Sequence, residues 1–176
     1  KAYPTNRDGF NEIITNNFFA PERKNIKLNF VIDTNKPWFS VTNDGLSMSQ
    51  TEIENALTVL GCESKNTPGN ENGTGLKSSA SLFTQYNDDS ILFLLSKKNG
   101  KTTGIGGIGN DGMYYEAEDL SSEQTEFVNN VLSTFTNGTS TAVFNTKLDE
   151  EEVDELINYI PYMFTNGLDS VLMTYQ

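Results

Sequence analysis

Gly73-Thr74-Gly75-Leu76-Lys77-Ser78 is the stretch on which the reading of this chain turns. Its two glycines stand just before an apolar pattern, Leu76 to Phe83, that predicts a short helix. Glycines at the start of a helix expose backbone N–H groups and the positive end of the helix dipole, an arrangement that favours a phosphate. Lys77 adds a point charge for a terminal phosphate. Residues 61–75 are rich in Gly, Asn, Ser and Thr and form the longest stretch of loop composition in the chain, expected to be a mobile loop. Taken alone, such a motif is more often a plain loop leading into a helix, so its weight comes from its surroundings.

Upstream, Ser49 and Glu52 stand three apart as a capping box. They open a helix carrying Ile53, Ala56, Leu57 and Leu60 and stopped by Gly61. Before it, Asn43-Asp44-Gly45-Leu46-Ser47-Met48 follows the strand pattern Trp38-Phe39-Ser40-Val41. A polar turn at a strand end can hydrogen-bond the edge of a base, with Gly45 allowing close approach, although such a turn alone is usually only a turn. Ile26 to Ile32 is an earlier strand, and Asn35-Lys36-Pro37 joins the two. The chain opens with a helix expected from Asp8, as its cap, to Phe19, ended by Ala20-Pro21. Phe10, Ile13, Ile14 and Phe18 form its apolar face, and Glu12 and Asn16, four apart, share a polar stripe. A carboxylate and an amide one turn apart can hold a water and a metal ion side by side.

Downstream, Ile91 to Ser96 predicts a buried strand, Lys97-Lys98-Asn99-Gly100 a hairpin turn, and Lys101 to Ile108 the returning strand. Ser121 and Gln124 begin a helix with Phe127, Val131, Leu132 and Phe135 as its stripe, and Asn137-Gly138 ends it. Thr139 to Asn145 is a further strand, Asp149 and Glu152 box the start of a helix that meets Pro161, and Ser170 to Tyr175 is the last strand. This order predicts one domain over residues 1–176, an α+β fold in which a mixed sheet is covered by helices on one face. Gly104-Ile105-Gly106-Gly107-Ile108-Gly109 matches the dinucleotide fingerprint, but the turn Asn110-Asp111-Gly112 follows where a helix is required, so a strand is the better reading. The acidic run Asp149 to Glu152 suits the first turn of a helix. The sequons at Asn72 and Asn137 read as turn chemistry.

Composition narrows the chemistry. The 176 residues include no histidine and one cysteine, Cys62. This excludes Ser-His-Asp and Cys-His machines, a histidine base, a cysteine-rich zinc site and an internal disulfide. A net charge of -12 argues against nucleic acid as the partner of this segment and fits a protein that uses Mg2+. The longest apolar run, Ile91 to Leu95, is far too short to span a membrane. An intracellular setting is expected. The chain begins on Lys1, as a fragment or a processed chain would.

The helix with Glu12 and Asn16, the turn Asn43 to Met48, the loop and the motif Gly73 to Lys77 stand in an order and spacing that resemble the GHKL ATPases: gyrase, the large heat-shock chaperone, histidine kinases and MutL. Within that family the chain looks most like the microrchidia (MORC) ATPases, whose glycine motif contains a lysine. The hairpin Lys97 to Lys101 and the pair Gly138-Thr139 add to the likeness, which covers roughly residues 8–145. The resemblance implies a Bergerat-type two-layer α/β sandwich that binds ATP with Mg2+ under a flexible lid at about 61–75. It implies Glu12 as general base and Asn16 as Mg2+ ligand. Asn43, Asp44, Gly45, Met48 and Thr139 would lie about the adenine, and Gly73, Gly75, Leu76 and Lys77 about the phosphates. It also implies homodimerisation on ATP binding, with hydrolysis as a conformational timer.

Three positions differ from the family pattern. Asn43 stands where the family has the Asp that accepts the adenine amino group, Ser47 replaces a glycine, and Phe19 replaces an Asp. A local adjustment could give the adenine role to Asp44. The alternative reading is a degenerate GHKL module that binds nucleotide weakly or not at all and serves as an interaction domain.

Overall fold

The run Ile91-Leu92-Phe93-Leu94-Leu95 is apolar at every position because it is buried on both of its faces. The computed structural model in which this is seen describes residues 5–58, 74–163 and 170–175. In chain order the elements are α1 (Asn6–Phe18), β1 (Asn25–Val31), β2 (Trp38–Asn43), α2 (Gln50–Thr58), α3 (Thr74–Thr84), β3 (Ile91–Lys98), β4 (Lys101–Gly109), β5 (Tyr114–Tyr115), α4 (Ser122–Leu132), β6 (Gly138–Phe144), α5 (Glu150–Met163) and β7 (Ser170–Tyr175). The strands form one seven-stranded sheet in the order β5-β4-β3-β6-β2-β1-β7. Every neighbouring pair is antiparallel except β1 and β7, which are parallel, so the sheet is mixed as expected.

The register lays side chains out in rows across one face. Phe30, Phe39, Val143, Leu92 and Ile108 make the innermost row, and Leu28, Val41, Thr141, Leu94 and Gly106 the next. Ile26, Asn43, Thr139, Ser96 and Gly104 make the row nearest the end of the sheet. Apolar character therefore fades toward one end, and polar groups collect there. α1, α2, α3 and α5 cover this face through Phe10, Ile13, Ile53, Leu57, Phe83 and Val153, each buried. Burying one such side chain contributes roughly 1.5–3 kcal/mol.

One helix departs from the expected one-sided cover. α4 packs Phe127, Val128, Val131 and Leu132 on the opposite face, against Ile91, Phe93, Leu95, Ala142 and Phe144. The alternation of β3 and β6 makes both faces apolar, and a second apolar face must be covered.

Element ends follow capping chemistry. The cap of α1 is Thr5, and Asp8 is the third helical residue that completes its box: the Thr5 backbone N–H donates to Asp8 Oδ2 at 2.8 Å. The box at Ser49/Glu52 forms as predicted, and Ser121 and Gln124, expected to begin a helix, form one at the start of α4. α5 runs two residues beyond Pro161, whose φ suits a helix. Asn99 and Gly100 both take positive φ, 52° and 78°, in the β3–β4 turn. Asn137 Oδ1 accepts from the Asn99 backbone N–H at 2.8 Å, which gives the second sequon a structural part in that turn.

The dinucleotide-like glycines lie in β4, as read. A Cβ on Gly104 would stand 2.7 Å from Ile53 Cδ1 and 3.1 Å from the Gln50 backbone, so these glycines let α2 lie close on the sheet. Gln50 secures the approach with its side-chain amide, which donates to Ile105 O at 2.7 Å and accepts from Ile105 N at 2.9 Å.

Candidate functional site

A cavity of about 220 Å3 opens where the polar row meets the C-terminal half of α1. Asn16 and Asn17 of α1, with Ala20 just after it, form one wall, and Glu52 and Ala56 of α2 another. Asn43, Thr139, Thr141 and Leu94 form the sheet floor, and Leu46, Ser47, Met48 and Leu76 complete the rim. It sits over one end of the sheet, on β2, β3 and β6, where the rows turn polar.

A chain of main-chain and amide groups orders the floor. Asn17 Nδ2 donates to Ile13 O at 2.8 Å, Asn43 Nδ2 donates to Asn17 Oδ1 at 2.8 Å, and the Gly45 backbone N–H donates to Asn43 Oδ1 at 3.0 Å. A carbonyl at one end and an N–H at the other fix both amide orientations. Ser96 is a second junction: its Oγ accepts from the Met48 backbone N–H at 2.7 Å, donates to Gly138 O at 2.8 Å and lies 2.9 Å from Thr139 Oγ1. Gly138 enters β6 at φ +108°, and a Cβ there would fall 1.9 Å from Asn43 O, so β6 closes directly on the turn that holds the site.

Asn16, Asn43, Met48, Leu76 and Thr139, all expected at the site, line this cavity. Asn16 Oδ1 is buried and has no hydrogen-bond partner among the described residues. Glu12 is exposed and lies outside the lining, one turn before Asn16. Gly75 lies in the first turn of α3. Gly73, Cys62, the first sequon and the loop at 61–75, save its last two residues in α3, lie outside the described residues.

Three expected residues stand elsewhere. Asp44 turns away from the cavity: its Oδ1 accepts from the Lys24 and Asn25 backbone N–H groups at 2.7 and 2.9 Å, and its Oδ2 from Asn25 Nδ2 at 2.6 Å. Partial burial works to raise its pKa, but these three donors outweigh it and hold the carboxyl below its ordinary value. Asp44 is thus the clasp that ties the turn to the start of β1. Gly45 faces backbone, since a Cβ would fall 2.4 Å from Pro21 O. Its glycine serves the packing of this turn against residues 20–23. Lys77 Nζ donates to Thr58 O at 2.9 Å, at the C-terminal end of α2.

The sequence reading missed Asn17, Thr141, Leu94 and Ser96. Their signal was the strand alternation itself: Leu94 and Ser96, and Thr139 and Thr141, share a face at spacing two. Asn17 carried no such signal, because its partner Asn43 is 26 residues away.

No family model matches the chain, and no curated protein matches it in sequence. Solved structures do. The ATPase region of topoisomerase II from Saccharomyces cerevisiae, in one crystal structure and in a second bound to ICRF-187 (dexrazoxane), superimposes with a TM-score of 0.61 at 15% identity. The match covers 95% of this chain and 47% of those, so the chain spans about half the length of these neighbours. The likeness shows the fold, which is that of the topoisomerase II ATPase region.

Proposed function

We propose that the chain binds ATP with Mg2+ in the cavity between α1 and α2 and hydrolyses it slowly, as a MORC-like GHKL domain that closes over its nucleotide and dimerises. The observation that carries this reading is Asn16 Oδ1, a buried acceptor left without a partner among the described residues on the wall of a cavity. A buried amide oxygen left unpaired costs about 1–3 kcal/mol, so it marks a place where a ligand completes the structure. An amide oxygen suits Mg2+, which takes oxygen ligands. Bound there, Mg2+ would neutralise charge on the phosphates.

The chain's own residues would act as follows. Asn16 holds the ion. Glu12, one turn earlier on the same helix, accepts a proton from the attacking water. Gly73 and Gly75 offer backbone N–H groups, and Lys77 leaves Thr58 to meet a phosphate. The sheet floor around Asn43 and Thr139 receives the base. The fold of the topoisomerase II ATPase region supports the nucleotide, and the lysine in the glycine motif supports the MORC likeness.

A second reading, a degenerate module that binds nucleotide weakly and acts through protein contacts, is favoured by one observation. Asn43, in place of a carboxylate, is already engaged by Asn17 and Gly45. Isothermal titration with ATP and a non-hydrolysable analogue, with and without Mg2+, separates the two. Saturable Mg2+-dependent binding supports the first reading, and no binding at millimolar nucleotide supports the second. Hydrolysis at an unchanged rate in Glu12→Ala would remove Glu12 from the mechanism alone.

A further inference from the structure

We infer that the cavity reads its base with a neutral donor–acceptor pair, Asn43 Nδ2 and Thr139 Oγ1, and therefore accepts 6-aminopurine and 6-oxopurine nucleotides with little discrimination. This deepens the proposed nucleotide-binding function and rests on it.

Gly45 N–H can only donate, so Asn43 must turn its oxygen toward it and its nitrogen toward Asn17. Ile13 O can only accept, so Asn17 must turn its nitrogen toward that carbonyl and its oxygen toward Asn43. Neither amide can flip without setting like groups against each other. Asn43 Nδ2 uses one hydrogen on Asn17 and keeps the second, on a residue that lines the cavity. Asn43 thus offers a donor there.

Thr139 is fixed from its other side. Ser96 has one hydroxyl hydrogen, and Gly138 O takes it. The contact between Ser96 Oγ and Thr139 Oγ1 therefore requires Thr139 to donate. With its only hydrogen committed, Thr139 Oγ1 presents lone pairs to the cavity it lines. Asn43 and Thr139 are register partners on β2 and β6 and share a face, so the donor and the acceptor stand side by side. Asn43 is 4% and Thr139 6% exposed, so a base can reach either only through the cavity they line.

An adjacent donor and acceptor match two purine edges. Adenine offers its 6-amino hydrogen to Thr139 and its ring N1 to Asn43. Hypoxanthine and guanine offer N1–H to Thr139 and the 6-oxo oxygen to Asn43, with the ring turned by one position. A carboxylate at residue 43 accepts only and would leave a 6-oxo group facing negative charge. The neutral pair has no such repulsive element against the second base.

The test is titration of the whole chain with ATP, ITP and GTP in Mg2+. ITP carries the 6-oxo group without the 2-amino group, so it reports on the hydrogen-bond pair free of steric effects. The expected result is ATP and ITP dissociation constants within about tenfold of each other, the range left when no polar group is stranded. Thr139→Val keeps the side-chain shape and removes the acceptor, and is expected to weaken both by about tenfold, with an unchanged circular dichroism spectrum. A preference for ATP over ITP beyond tenfold overturns the inference and leaves the nucleotide-binding function standing. Unchanged affinity in Thr139→Val overturns it equally. Failure of all three nucleotides to bind at millimolar concentration overturns both.

Discussion

Lys77 Nζ donates to the carbonyl of Thr58 at 2.9 Å, so the lysine of the glycine motif closes the C-terminal end of α2. A cation at that end is favoured by the helix dipole as well as by the hydrogen bond. Lys77→Met is expected to lower stability by about 0.5–1.5 kcal/mol in denaturant titration. It should also weaken ATP more than AMP, because only the longer phosphate chain would draw the ammonium away from Thr58. Equal loss for both nucleotides would count against a phosphate role.

Asn16 is expected to show the opposite balance. Asn16→Ala removes a buried acceptor that has no partner among the described residues, so thermal stability should hold or rise, by up to about 1–3 kcal/mol. Mg2+-dependent nucleotide binding should fall in the same variant. A drop in stability together with unchanged binding would make Asn16 a plain structural residue.

Gly104 tests the close approach of α2. Gly104→Ala drives a methyl toward Ile53 Cδ1 and the Gln50 backbone, and is expected to cost about 1–3 kcal/mol. Ile53→Ala is itself expected to cost about 2–5 kcal/mol, so the double variant should lose less than the sum of the two single losses, with the Gln50 backbone still in the way. A double-mutant cycle by chemical denaturation measures that coupling. Because Glu52 and Ala56 of α2 wall the cavity, ligand affinity should fall with the retreat of the helix.

Asp44 gives the fold a pH dependence with a definite sign. Its carboxyl pKa is lowered in the folded chain from an ordinary 3.8, so the clasp adds stability above that value and loses it as the pH falls through the lowered one. The stability difference between wild type and Asp44→Ala should be full at neutral pH and shrink below about pH 4. A difference that stays constant down to about pH 2 would show that the carboxylate charge contributes nothing.

Local chemistry was legible in the chain and distant pairing was not. The boxes at Ser49 and Ser121, the turn at Asn99-Gly100 and the strand over Gly104 to Gly109 follow from residues within a few positions of each other. Asn16, Asn43, Met48, Leu76 and Thr139, which line the cavity, were picked out by motif order. The partners of Asp44 and Lys77 were hidden for a common reason. Asp44 finds its donors 19 and 20 positions back and Lys77 finds Thr58 19 positions back, and no periodicity encodes such partners. The side taken by α4 was hidden likewise, because its stripe specifies that it is buried and not which face buries it. β5, two residues long, leaves no pattern to read.

β6 has a consequence for how the protein comes into being. It enters the sheet between β2 and β3, about a hundred residues from one neighbour in sequence and about forty-five from the other. The floor of the cavity needs Asn43, Thr139 and Ser96 in one row, so a chain still being synthesised has no site until residue 144 has left the ribosome and that strand has zipped in. Pairings this distant are slow to form. A ligand that recognises the finished row would bind only after the slowest part of assembly, and would act on the newborn chain as a latch on completion rather than a guide toward it.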